Sequence, residues 1–276
     1  MEIGSNSQLN QTAYLNANQT LDRIATGLKI GSASDDASGL AISENLKVQA
    51  SGISQAVDNV NSGIASLQIG DQAISEQSNI LDTIKEKLLQ ASTDTTSQDG
   101  REAILNEIKD LLENFDNIAS STNYNGQNLL QNDSADSSAS QALQFQAGEN
   151  SSDIIESGSI QSNTQGVGLE ALVNQDIGSF DSQTARGYLD SIDNAIDITN
   201  NFRAELASTQ NQLQSSSSNL LSQFSQTTGA ASVISEVNYA QEVSNFSKQN
   251  VLAQVGAFGA AQSNNINQNI VNRLLT

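Results

Sequence analysis

Residues 46–88 read LKVQASG ISQAVDN VNSGIAS LQIGDQA ISEQSNI LDTIKEK L. Broken into sevens, every block opens on a large aliphatic residue: Leu46, Ile53, Val60, Leu67, Ile74, Leu81 and Leu88. A strict seven-residue spacing keeps these side chains on one face of a helix that packs lengthwise on another. Ala50, Val57 and Ile64 supply the companion position four residues on, which completes an a/d-like seam over the first part of the run. Further along, that position becomes Asp71, Ser78 and Lys85, while Ile80 and Ile84 predict that the apolar stripe broadens or shifts face. One helix over residues 40–90 is roughly 75 Å long at about 1.5 Å per residue. The pattern fits a core helix of a bundle and an elongated coiled-coil-like rod equally well.

Working outward, Ser92 to Gly100 is a short loop rich in Ser, Thr and Asp. Ile104, Ile108, Leu111, Phe115 and Ile118 then mark a second helix, with Asp99 as its expected N-cap. The short loop predicts an antiparallel hairpin with the first helix, and Tyr124-Asn125-Gly126 predicts a turn. Residues 131–180 change character. Ser134 to Ser140 is polar, Leu143, Phe145 and Ala147 alternate as in a strand, and Ile154, Ile155 and Ile160 are expected in further short strands. Helical periodicity returns at 181 with Ile192, Leu206, Leu213, Leu220 and Ile234 in one heptad phase. Its companion phase, Leu189, Ile196, Phe224 and Ala231, turns polar in the middle at Arg203, Gln210 and Ser217. The last stretch carries Val251, Val255, Phe258, Ile266, Ile270 and Leu274 close to one face, and the first carries Leu21, Ile24 and Leu28. Both ends are amphipathic and nearly uncharged, with only Lys248 and Arg273 after Glu242. Such helices have almost no core of their own until something covers them.

Composition narrows the function. Pro is absent, which removes the strongest helix breaker. Aromatics make up only 4% and Trp is missing, so a compact core of large rings is not expected. Cys and His are absent, which excludes disulfides, thiolate zinc sites and His-based catalysis. No cofactor, metal site or catalytic residue is expected, and the chain reads as a non-enzyme. A net charge of −20, from 11 basic and 31 acidic residues, makes nucleic acid a poor partner. No apolar run is long enough to span a bilayer, and no membrane partner is expected. Residues 1–6 lack the basic and apolar regions of a cleaved signal peptide, so export would use another route.

Leu21 to Ile30 (LDRIATGLKI) followed by Ser34 to Ile42 (SDDASGLAI) resembles the bacterial flagellin signature "ERLSSGLRI…DDAAGLAI". Asn59 to Gln68, the Tyr124-Asn125-Gly126 turn, Asn264-Asn265-Ile266 and Asn272-Arg273-Leu274-Leu275 resemble its later segments in the same order. The resemblance implies a mainly α fold: an elongated antiparallel helical rod built from both chain ends, a small β region, and a two-helix terminal coiled coil. It implies an inner coiled-coil domain from 1–35 with 237–276, a spoke at 36–48 including Asp35 and Asp36 at its start, a rod from 49–130 with 181–236, and a β region at 131–180. This organisation is that of a short form without large outer domains.

The implied function is a structural subunit that polymerises with itself into the extracellular flagellar filament for motility. Export would be unfolded, with addition at the distal tip. An export chaperone and the hook-associated junction and cap proteins are the partners implied beside it. The implied polymerisation interface is Leu21, Ile24, Leu28, Val251, Val255, Phe258, Ile266, Ile270 and Leu274, and a charge at Ile24 or Ile266 is expected to abolish filaments while the rod stays folded. One segment departs from the family. An innate receptor of animals reads a rod-helix motif resembling "LQRVRELAVQ" and a Glu on the next helix. Here Thr83 replaces the first Arg and Lys87 the Leu, while Glu107 keeps the acidic position. Loss of the guanidinium fork and a charge at an apolar contact predict weak or no receptor binding.

Other readings of these residues fit less well. A hook–filament junction protein shares the terminal helices but makes one ring. An adhesin or membrane-active helical protein fits poorly with so few basic residues. Asp35-Asp36 as a metal or acid/base pair lacks converging ligands, and a polar contact is expected instead, with Arg23, Lys29 or Arg273 neutralising acidic groups across subunits. Gly27, Gly31 and Gly39 are no nucleotide loop, since no strand precedes them and no GK[ST] follows; they read as helix termination and close packing. Ser134 to Ser140 and Ser159 to Thr164 are expected to be surface segments able to carry O-linked sugars.

Overall fold

The computed structural model describes residues 3–131, 138 and 141–275; the side chains of residues 3–10 and 274 also lie outside that description. Six α-helices dominate the described residues: α1 Ile3–Thr26, α2 Ala33–Ala91, α3 Gln98–Ser121, α4 Glu170–Val173, α5 Ser182–Ser235 and α6 Tyr239–Leu275. Two antiparallel hairpins complete the fold: β1 Asn123–Tyr124 with β2 Gln127–Asn128, and β3 Gln144–Gln146 with β4 Ile154–Glu156. The chain divides into two compact units, Ser51–Phe224 and Met1–Ala50 with Ser225–Thr276.

In the first of these units the seam positions from Ile53 to Leu88 lie in the core, whereas Leu46 is half-buried in the other unit. Ile53, Val60, Leu67 and Ile74 of α2 pack with Leu206, Leu213 and Leu220 of α5. Leu81, Ile84 and Leu88 join Ile104, Ile108, Leu112 and Phe115 of α3 and Ile192 of α5. Ile80 and Ile84 are buried because α2 is flanked here by two helices instead of one, which is why the stripe broadens. The polar interruptions of the two seams meet each other. Arg203 of α5 donates to Asp71 of α2 at 3.0 Å, and Lys85 pairs with Asp193. Both pairs are partly exposed, so solvent screens them and they add little to stability.

Local signals explain the element ends, with one correction. The N-cap of α3 is Ser97 and not Asp99: the Ser97 hydroxyl accepts from the Gly100 N–H at 3.2 Å, and Asp99 lies in the first turn. A carboxylate in a first turn favours a helix through the dipole, so the two positions carry overlapping sequence signals. Asn125 and Gly126 both have positive φ, 52° and 81°, which makes the β1–β2 connection a type I′ turn.

The β region is smaller than expected. Ile154 and Ile155 lie in β4, but Ile160 is in no strand. It is buried in the α2/α5 core, and the backbone beyond it is held by side chains. The Gln77 amide donates to Ser162 O at 2.8 Å and to Phe115 O at 3.0 Å. Asp116 accepts from the Thr164 N–H at 2.7 Å and its hydroxyl at 2.9 Å. Burial raises the Asp116 carboxyl above its ordinary pKa, and the Thr164 bonds oppose that rise. Ser162 and Thr164 are therefore buried, which contradicts the reading of Ser159 to Thr164 as an open sugar-bearing surface; only Ser159 and Gln161 in that stretch retain appreciable exposure. The other such segment, Ser134 to Ser140, lies outside the described residues apart from Ser138.

Candidate assembly surface

The terminal unit contains a helical hairpin of α1 and α6, together with the first part of α2 and the end of α5. The hairpin's seam is made mostly of small and polar side chains, with Phe246 and Ile24 as the large exceptions. On α6 the covered positions are Glu242, Phe246, Gln249, Ala253, Gly256, Ala260, Ser263 and Asn267, an unbroken 4–3 alternation. On α1 they are Ala13, Ala17 and Thr20, followed by half-buried Ile24. Small residues in this register let two helices approach closely, but they bury little apolar area.

The large apolar residues point elsewhere. Phe258 is 77% exposed, Val255 61% and Val251 59%; Leu21, Ile266 and Ile270 are about half exposed. Leu28 is half-buried, and the side chain of Leu274 lies outside the described residues. Tyr14, Leu15, Tyr239, Val243, Leu252 and Val271 extend the exposed apolar surface. Exposed large apolar side chains in this number mark a surface suited to a partner. Charge is distributed to match. The terminal unit has seven acidic and five basic residues, whereas the Ser51–Phe224 unit has 24 and six. The surface with exposed large apolar groups is thus the one on which copies can approach with little electrostatic repulsion.

A short crossing organises the base of this hairpin. Gly27 ends α1 with φ +73°, and its N–H bonds to Arg23 O at 2.9 Å. Lys29 N–H donates to Ser235 O at 2.7 Å and Val237 N–H to Gly27 O at 3.0 Å, so the two non-helical links pair as a one-rung bridge, Leu28 with Glu236. A Cβ on Gly27 would sit 3.2 Å from the Tyr239 hydroxyl as well as in the left-handed region. Gly27→Ala is expected to destabilise this unit by about 1–2 kcal/mol, seen as faster amide exchange along α6 with none along α3. Gly39 permits a close approach of another kind, since a Cβ there would lie 2.6 Å from the Ile30 side chain.

Asp35 and Asp36 have separate local tasks. Asp35 accepts from the Ser32 hydroxyl and from the Gly31 and Ser32 N–H groups, bonds that hold its carboxyl below the usual range. Asp36 has an extended backbone and caps the helix that follows, accepting from Ser38 N–H at 3.0 Å and Gly39 N–H at 2.9 Å. Arg23 lies near Asp35 and Glu242 of its own chain, where sequence alone pointed across subunits. Among the described residues no three acidic side chains converge as a metal site, and no helix is long and apolar enough to cross a membrane.

In the Ser51–Phe224 unit, Thr83 donates its hydroxyl to Asn79 O within α2, and the Lys87 ammonium pairs with the Glu107 carboxylate of α3 at 2.7 Å. The sequence sets Lys87 in the receptor-facing segment and Glu107 on the next helix, and the structure brings the two into contact. Their spacing across a hairpin, 20 residues apart, was the available signal.

Comparison with known proteins follows the same outline. The bacterial flagellin N-terminal helical region matches residues 3–135, and the bacterial flagellin C-terminal helical region matches 189–274. Flagellin of Halalkalibacterium halodurans is 32% identical over 260 residues, covering 94% of this chain and 92% of that protein. Flagellin A of Helicobacter mustelae is 47% identical over 116 residues, 42% of this chain; the chain spans only 24% of that relative's length. A solved structure of a putative flagellar hook-associated protein from Vibrio parahaemolyticus shares the fold, with a TM-score of 0.59 at 12% identity over 72% of this chain and 99% of that one.

Proposed function

This chain belongs to the bacterial flagellin family and is a structural subunit of a filament, and from that premise we propose that its terminal hairpin is the polymerisation surface. Leu21, Ile24, Leu28, Val251, Val255, Phe258, Ile266, Ile270 and Leu274 are the residues assigned to it. The observation that carries this reading is the division of labour in the hairpin: mainly small and polar residues join α1 to α6, with Phe246 and Ile24 half-buried among them, whereas Val251, Val255 and Phe258 remain exposed. An apolar surface of this kind gains about 25 cal/mol for each Å² a second copy covers. The same gain repeats at every added subunit, which is the free energy of a fibre.

The other assignments stand on the family. The chain crosses the membrane unfolded through the flagellar export apparatus, adds at the distal tip and functions outside the cell in motility. Its partners there are further copies of itself, with an export chaperone and the junction and cap proteins acting before and at the ends of growth. Residues 36–48 form the spoke, 49–130 with 181–236 the rod, and 131–180 its β part. Nothing in this role asks for catalysis. Flagellins that align along nearly the whole chain favour the filament over a hook-associated ring.

Seeded growth of the purified chain tests the reading. Filaments that lengthen without limit support it, whereas rings or short caps that stop growing contradict it. A second expectation concerns the innate receptor. Thr83 offers no guanidinium and Lys87 puts a paired charge where the family motif has an aliphatic group, so purified monomer should activate a reporter cell weakly. Thr83→Arg with Lys87→Leu should raise that response at least about tenfold if each restored contact contributes at the level of an interface hot spot; a strong response from the unaltered chain would contradict the assignment.

A further inference from the structure

Four helix ends meet at the crossing of the terminal unit: the end of α1, the start of α2, the end of α5 and the start of α6. Glu242 lies there in the first turn of α6 and is 8% exposed, and no other acidic or basic residue is as buried among those described. Its surroundings do not satisfy it. Glu242 Oε1 has no hydrogen-bond partner, and neither does Arg23 Nε. Yet the two side chains face each other: Arg23 Nη1 is 3.9 Å from Glu242 Oε1, and Arg23 Nη2 is 3.9 Å from Asp35 Oδ1. A made guanidinium–carboxylate hydrogen bond is about 2.7–2.9 Å long. Arg23 thus stands about one ångström short of two carboxylates on two other helices. On the other side, Asn245 offers Glu242 Oε2 only a long bond of 3.4 Å.

We propose that Arg23 and Glu242 form an assembly latch, open in the free chain and closed in the polymer. The guanidinium side chain keeps 31% of its exposure in the free chain, so water shares its charge. When other copies cover the hairpin, that water is displaced and the attraction strengthens as the local dielectric falls. Arg23 then closes onto Glu242 and Asp35, fixing the end of α1 against the starts of α2 and α6. Glu242 is a positioning residue: it sets the register in which Leu21 and Val251 are presented and buries no partner surface itself. This inference rests on the filament reading of the chain.

A double-mutant cycle separates it from an ordinary ion pair. Full-length chains carrying Glu242→Gln, Arg23→Ala and both are compared with the unaltered chain, by the critical concentration for seeded growth and by the unfolding midpoint of free α1/α6. Each single change should raise the critical concentration by about tenfold or more, and the double variant should be no worse than the poorer single, since one missing partner already breaks the latch. In the free chain the two changes should be nearly additive. Additive effects on growth, or coupling of equal size in free and assembled chains, would overturn the proposal. Arg23→Gln replaces Arg23→Ala if the alanine variant unfolds the hairpin. Failure of the unaltered chain to grow at all would instead contradict the filament reading.

Discussion

Replacing Phe258 by Asp is expected to stop filament growth and leave the unit Ser51–Phe224 folded. Phe258 is 77% exposed in the free chain, so a carboxylate there is solvated and costs the hairpin little. The proposed interface covers the same position in the polymer, and the effective penalty for burying an unpaired charge is several kcal/mol per ion. Each 1.4 kcal/mol shifts an association constant about tenfold, so a penalty of about 3 kcal/mol raises the critical concentration more than 100-fold. Ile266→Asp should behave in the same way, being about half exposed. Ile24→Asp should abolish growth too, with some loss of hairpin stability, because Ile24 is already partly covered by its own chain. Sedimentation of seeded reactions, with thermal unfolding of the same samples, checks all three. Wild-type growth by Phe258→Asp would remove that residue from the interface.

The largest effect on stability is expected from Phe115→Ala. Phe115 is fully buried where α2, α3 and α5 pack together, and it is one of the two largest side chains in that core. Truncating a buried Phe costs about 3–5 kcal/mol, through lost burial and the cavity left behind. Its carbonyl also receives the Gln77 amide, which in turn holds Ser162, so relaxation into the cavity is restrained by a buried polar contact. Urea denaturation of the full chain should show the loss in the transition of the Ser51–Phe224 unit. A change below about 1 kcal/mol would mean that the site collapses freely, contrary to the tight packing described above.

The two units differ in how far sequence reveals them, and the reason is residue size. In the rod the seam is written in Leu, Ile and Val, from Ile53 to Leu88, so periodicity and packing coincide. The Asn125-Gly126 turn was legible because few other residues adopt positive φ there. In the terminal hairpin the conspicuous stripe is the exposed one. The true seam, Ala13 and Ala17 against Ala253, Gly256 and Ala260, carries almost no hydropathy signal. The large stripe therefore points to contacts between copies, and the small one to contacts within the chain. Buried polar groups were hidden for a related reason. Ser162, Thr164 and Glu242 have the composition of a surface, and only their partners, Gln77, Asp116 and Arg23, reveal them as interior. Ser97 and Asp99 compete for one cap, and sequence spacing does not decide between them.

A helical reconstruction by cryo-electron microscopy of filaments grown from this chain tests the central claim most directly. The account predicts continuous density in which Val251, Val255, Phe258, Ile266 and Ile270 are buried against neighbouring subunits, with α1 and α6 still joined through Ala17 and Ala253. Filaments in which those five side chains stay open to solvent, and copies touch only through the acidic Ser51–Phe224 unit, would contradict it.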